Sequence, residues 1–164
     1  CGRPPEVTRA GAGRLSTGCG VEHYPGVAPA VIVAVTDTAD RLLLGRQPVW
    51  AAGRVSVFAG FVEAGESLEQ AVHREVFEEV GLRLGRPRYL GSQPWPFPRS
   101  MMLGFAAQAR GTELTLDSTE IEEARWFTRD ELTAALDAGE VSLPMPTSIA
   151  HRMITAWRAG RLDG

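Results

Sequence analysis

The chain has no apolar run close to the ~20 residues that a bilayer-spanning helix needs, so no membrane segment is expected. No succession of basic, apolar and small residues marks a secretory leader. Cysteine is scarce, with only Cys1 and Cys19, too few for a disulfide framework, so a reducing cytoplasm is the expected compartment. Positive charge is not in excess either. Seventeen Lys and Arg against 20 Asp and Glu leave a net charge of −3 and a pI near 5.7. That balance argues against a general nucleic-acid-binding surface, so a polyanionic substrate would have to be gripped locally. No repeat or low-complexity tract appears. No Ser-His-Asp or Cys-His arrangement suggests a nucleophilic mechanism. The chain opens on Cys1 rather than Met and is expected to be processed, truncated or excerpted.

The 164 residues, 44% hydrophobic and 23% charged, suffice for one domain with a sizeable core. Residues 1–28, rich in Gly, Arg and Pro, read as a loop-rich appendage. PAVIVAVT (29–36) reads as a buried strand and RLLLGRQ (41–47) as its hairpin partner across a turn at Asp37–Asp40. Val55–Phe58, Arg88–Ser92, Met101–Ala109, Thr112–Leu116 and Ala124–Phe127 are further strand candidates. Thr128 to Glu131 is a capping-box pattern that opens a helix running to Ala138, with Gly139 ending it. Pro146 can start a last helix closed by Gly160. The expected class is α/β, an α/β/α sandwich around a mixed sheet.

The informative stretch is GFVEAGESLEQAVHREVFEEVGL, Gly60 to Leu82. Ser67 with Gln70 makes a second capping box, and Gly81 fits the residue that stops the helix. Glu75, Glu78 and Glu79 therefore stand at i, i+3 and i+4 on one helix face. Like charges so close destabilise a helix unless neutralised. Hard divalent cations such as Mg²⁺ or Mn²⁺ suit carboxylate oxygens. A Glu-rich helix is ordinarily a solvated face. Here Leu68 and Val72 share the side of Glu75 and Glu79, so an inward stripe turns acidic halfway along. Arg74 adjoins the cluster and can orient a carboxylate, a role extended to Glu66. Gly60 and Gly65 let the approach loop come close to a ligand. The spacing Gly60, Glu66, Arg74-Glu75-Val76, Glu78-Glu79, Gly81-Leu82 resembles in full the Nudix box, which implies the Nudix fold and metal-dependent hydrolysis of a nucleoside diphosphate linked to another group.

A second motif, GSQPWPFPRS (Gly91 to Ser100), alternates three prolines with two aromatics. Proline excludes a regular helix or a central strand. The segment is expected to be a stiff loop that presents Trp95 and Phe97 at little entropic cost. SQPWPFP, a further residue and Ser, following a Nudix box, resembles the NADH pyrophosphatase family. The likeness extends to HYPGVAPAVIVAV, SVFAGFVEAGESLEQAV, EIEEARWF and PTSIAHRMI, nearly the whole chain. It implies cleavage of NAD(H) to AMP and nicotinamide mononucleotide, removal of NAD caps from RNA 5′ ends, and a homodimer with sites near its interface. It implies metal ligands at Glu75, Glu78, Glu79 and Glu120, with Glu120 as ligand or base and Arg74 supporting. It implies a nucleotide pocket lined by Phe61 and Tyr24, a backbone contact at Ala150, and a completing loop with Gln93, Trp95, Ser100 and Met102. Phe61 is the first choice for stacking the adenine.

The departures concern residues 1–27, read as a degenerate zinc-ribbon segment before a catalytic domain at 28–164. The family carries two Cys-x-x-Cys pairs there. Cys1 would end the first pair, and Ser16 stands where the partner of Cys19 should be. Position 26 is Gly where the family often has a larger polar residue. With His23 the only nearby supplement, no structural zinc is expected, and the residues before about His23 should be loosely ordered or held only by packing against the catalytic domain. His73 reads as a helix-surface residue and His151 as one on a helix surface or an interface. Another Nudix specificity, such as ADP-ribose or dinucleotide polyphosphate hydrolysis, is the alternative. A non-catalytic nucleotide-sensing module, or a domain that supports a partner through its N-terminal segment, are the others.

Overall fold

The computed structural model describes residues 3–8, 13–24 and 26–162. Strand β4, Ala28–Thr36, is the spine. It is apolar at nearly every position because both faces of the sheet are covered there. Val31, Val33 and Val35 enter one core, and Ile32 and Ala34 the other. β8 (Ser100–Gln108) runs parallel to β4 in register, from Ala28 opposite Ser100 to Thr36 opposite Gln108. On the other side of β4 lie β6 (Phe58–Phe61) and β5 (Leu42–Arg46), both antiparallel to it. β9 (Glu123–Phe127) pairs with β5, and β7 (Arg88–Trp95) with β8, giving the order β7-β8-β4-β5-β9 with β6 beside β4.

Helix α1, Leu68–Val80, covers the first face. Ser67 and Gln70 form the expected capping box, and Gly81 takes φ +74° at the stop. Ala71, Val72, Val76 and Val80 are buried against Val31, Val33, Leu43 and Phe105. Helices α2 (Arg129–Asp137) and α3 (Ile149–Arg158) cover the second face. Trp157 of α3 is fully buried there, and its indole N–H reaches the Asp40 carbonyl at 3.1 Å. Gly104 of β8 admits α3 closely, since a Cβ there would lie 3.0 Å from Ile149 Cδ1. Helices on both faces of a mixed sheet are the expected α/β/α sandwich. Among the described residues no helix is long and apolar enough to cross a membrane.

Five readings need correction. The N-terminal segment is not merely loop: β1 (Pro5–Thr8), β2 (Gly13–Ser16) and β3 (Glu22–His23) form a small antiparallel sheet. These strands are too short and too poor in branched apolar residues to be seen as strands. In the turn between β2 and β3, Cys19 Sγ donates to Ser16 Oγ at 3.1 Å, while Cys1 lies outside the described residues. The expected strand at Val55–Phe58 starts only at Phe58, because Arg54 and Ser56 make isolated bridges. Thr112–Leu116 is not a strand: Thr115 N–H donates to Val80 O at 3.0 Å, satisfying a carbonyl orphaned at the end of α1. The last helix starts at Ile149 with Ser148 as N-cap, past Pro146. Finally, Gln93 to Trp95 extend β7, so the proline-rich segment is a hairpin rather than a loop. Proline is accommodated because β7 is the edge strand, as the exclusion of a central strand requires.

Candidate active site

Helix periodicity divides the three box carboxylates. Glu75 and Glu79 turn inward and are buried, whereas Glu78 is largely exposed. Glu75 lies over β6 at Gly60. A Cβ on Gly60 would sit 1.8 Å from Glu75 Cδ and 2.0 to 2.1 Å from its oxygens. Glycine at 60 is thus the seat of the Glu75 carboxyl, a role the sequence reading assigned to loop flexibility instead.

Arg74 ties the box together. It holds both oxygens of Glu66, Nε to Oε1 at 2.9 Å and Nη2 to Oε2 at 2.7 Å. Its Nη1 donates to Glu75 at 2.8 Å and Glu78 at 3.0 Å, and Nη2 to the Phe61 carbonyl at 2.9 Å. The guanidinium, helped by the Glu63 amide, holds the Glu66 carboxyl down to about 2. This is the orienting role expected of Arg74 and Glu66.

Glu79 has no such partner. Among the described residues its Oε2 is the buried side-chain oxygen without a hydrogen bond. Burial, followed by repulsion from Glu75, Glu120 and Glu78, pushes its carboxyl up to about 8. Burial also raises Glu75, against the downward pull of Arg74. Glu120, from an exposed turn before β9, lies near enough to add to the repulsion on both. Glu79 lines a cavity of about 190 Å³ together with Gln47, Trp50, Ser56 and Ile121. Nothing in the sequence marks those four, since they converge only through the sheet. Among the described residues no three His, Cys, Asp or Glu side chains stand close enough to form a ready ligand set. Arg74 holds Glu75 and Glu78. An orphaned buried carboxylate oxygen amid three like charges nonetheless fits a hard divalent cation in donor chemistry and in charge.

Most of the residues expected around a nucleotide lie on the opposite face of the same sheet end, and Tyr24 lies apart from them. Phe61, Ala30, Met102 and Gln93 are successive register partners across β6, β4, β8 and β7, so they form one row. Phe61 is 58% exposed, open for stacking. Ser100 is buried at the start of β8. Trp95 stacks edge-on against the exposed Phe97, with centroids 5.9 Å apart. Ala150 is buried in the first turn of α3. Tyr24 directly follows β3 of the N-terminal sheet, where its hydroxyl donates to Glu22 and its ring lies beside Gly13. His73 is exposed on α1, and His151 is half-buried with Nδ1 3.0 Å from Pro144 O.

Gln93 is engaged with the backbone rather than free. Its Nε2 donates to Thr147 O at 2.8 Å, and its Oε1 accepts from Ile149 N at 2.6 Å. It therefore clasps the start of α3, and with it Ala150, to β7. Gln93→Ala should cost about 1–3 kcal/mol, lowering the melting temperature by roughly 2–10 °C in a thermal scan. An unchanged melting temperature would reduce the clasp to a surface contact.

Residues 26–145 match the NUDIX domain family. The chain is 49% identical over 96% of its length to the NAD-capped RNA hydrolase NudC of Mycobacterium bovis (strain BCG / Pasteur 1173P2). It is 46% identical over 99% of its length to the protein of the same name from Stutzerimonas stutzeri (strain A1501). It spans 53% and 55% of those two proteins, about half the length of the curated relatives it matches. A NUDIX hydrolase from Nitrosomonas europaea superposes with a TM-score of 0.76 at 19% identity, covering 98% of this chain and 87% of that one, a likeness of fold.

Proposed function

The chain belongs to the NUDIX family, and from that premise we propose that it hydrolyses the diphosphate of NAD(H) to AMP and nicotinamide mononucleotide and removes NAD caps from RNA 5′ ends, in the cytoplasm. The observation that carries the reading is the buried, unpartnered Glu79 oxygen beneath an arginine-tied carboxylate cluster. It is supported by relatives named NAD-capped RNA hydrolase. Mg²⁺ or Mn²⁺ bound at Glu79, Glu75, Glu78 and Glu120 would supply charge neutralisation for the diphosphate and acidify the attacking water. Glu79 is the principal holder, with Glu75 seated on Gly60 and Arg74 keeping Glu75 and Glu78 oriented. Glu120, on its exposed turn, is the ligand or the base that takes the water proton. The water oxygen bonds to phosphorus and the bridging P–O bond breaks. Phe61 stacks the adenine, and Met102, Ser100 and Ala150 shape its pocket. Residues 28–164 form the catalytic unit, and no structural zinc belongs to it.

NADH with Mn²⁺ should yield AMP and reduced nicotinamide mononucleotide on chromatography, with NAD⁺ and NAD-capped RNA cut as well. ADP-ribose turned over much faster than NADH would sink this specificity in favour of another within the family.

The β7–β8 hairpin supports a homodimer. Phe97 is 75% exposed against Trp95, and the half-buried Met102 lies on the same face of the hairpin as Trp95, an apolar group awaiting cover. Light scattering at micromolar concentration should give twice the chain mass. A fully active monomer would defeat the shared site.

A further inference from the structure

Arg46 ends β5 and is buried despite its charge. Its Nη2 meets Glu122 Oε2 at 2.6 Å and its Nη1 donates to the Trp50 carbonyl at 3.2 Å. Its own carbonyl accepts from Glu122 N at 2.9 Å. Burying a guanidinium is costly unless it is well paired, so the place it pairs matters. Glu122 directly follows the turn that carries Glu120. Inside that turn the Glu120 and Ile121 amides both donate to Asp117 O, at 3.1 and 2.8 Å. Asp117 Oδ1 accepts from the Thr119 amide and hydroxyl, at 2.9 and 2.6 Å. The turn is therefore stiff within itself and depends on its two ends for position. One end hangs on α1 at the catalytic carboxylate's own residue, Asp117 N donating to Glu79 O at 3.1 Å. The other end is Glu122 on Arg46. Between them Ile121, 3% exposed, lines the Glu79 cavity together with Trp50.

We infer that Arg46 is a positioning residue, which through Glu122 holds the Glu120 turn against Glu79. The inference rests on reading the carboxylate cluster as a metal-dependent hydrolytic site. Lysine keeps the charge but cannot reach Glu122 and the Trp50 carbonyl together. The test is a double-mutant cycle of Arg46→Lys with Glu120→Gln in the whole chain, read as Mn²⁺ affinity by electron paramagnetic resonance and as kcat on NADH. Whichever quantity Glu120→Gln lowers, Arg46→Lys should lower by about ten- to a hundredfold in the otherwise wild-type chain. In the Glu120→Gln background it should lower it by less than about twofold. Glu122→Gln, on a partly exposed side chain, carries the same cycle if Arg46→Lys fails to fold. Losses that multiply independently, or no loss in either quantity, overturn the inference. The Mn²⁺ measurement needs no nucleotide, so a chain that leaves NADH uncut would sink the substrate reading while the cycle still reads Arg46.

Discussion

Glu79→Gln should cut turnover by at least about 10²-fold while making the cation-free protein more heat-stable at pH 8. The two effects share one cause. Glu79 is 2% exposed and, among the described residues, its Oε2 has no hydrogen-bond partner. Its carboxyl titrates near 8 in the folded chain against an ordinary value of 4.5. Between those values the folded state holds a proton that the unfolded chain has released, so stability falls as pH rises through the window. Glutamine has the same shape and nothing to titrate. Without divalent cation the wild-type melting temperature should decline from pH 5 to 8 more steeply than that of the variant. A difference of ~1 kcal/mol at pH 8 corresponds to about 2–4 °C at this chain length. Adding Mn²⁺ should raise the wild type and leave the variant nearly unmoved. Parallel pH profiles, or near-normal turnover by a folded variant, would remove Glu79 from the centre of the site.

Gly60→Ala should also cost about 10²-fold in turnover, at little cost to folding. The new Cβ would fall 1.8 Å from Glu75 Cδ, far inside any tolerable contact. What it meets is the far end of a flexible side chain, so the carboxyl moves rather than the sheet. The movement breaks the 2.8 Å bond from Arg74 and displaces a charge from the cluster. Glu75→Asp, shorter by one methylene, should recover part of the loss in the Gly60→Ala background. A folded Gly60→Ala enzyme with ordinary turnover would show that the Glu75 seat is dispensable.

The carboxylates were legible because they are local: a 3.6-residue period and two capping residues put Glu75 and Glu79 inward with no knowledge of the rest of the fold. β4 and the N-caps of α1 and α2 were legible for the same reason. Glu120 came only through resemblance, since nothing in its own neighbourhood signals that a turn 41 residues beyond Glu79 folds back onto it. The seat at Gly60 requires knowing that β6 lies beneath α1. The alternation in Thr112–Leu116 looks like a strand, but its Thr115 amide is taken by the end of α1, and periodicity carries no sign of that competition. Gln93 was read toward the ligand because side-chain chemistry is visible in a sequence, whereas a waiting backbone amide at Ile149 is not.

Pro94 in β7 bears on how this protein meets its own kind. An edge strand is a template on which another chain can lay down a strand, and repetition of that step is how fibres grow. Proline at 94 offers no N–H to such a newcomer, and Pro96 and Pro98 deny it the residues beyond. Contact along this border is left to the rings of Trp95 and Phe97. Ring contacts close after one partner has docked, where backbone pairing would extend without limit.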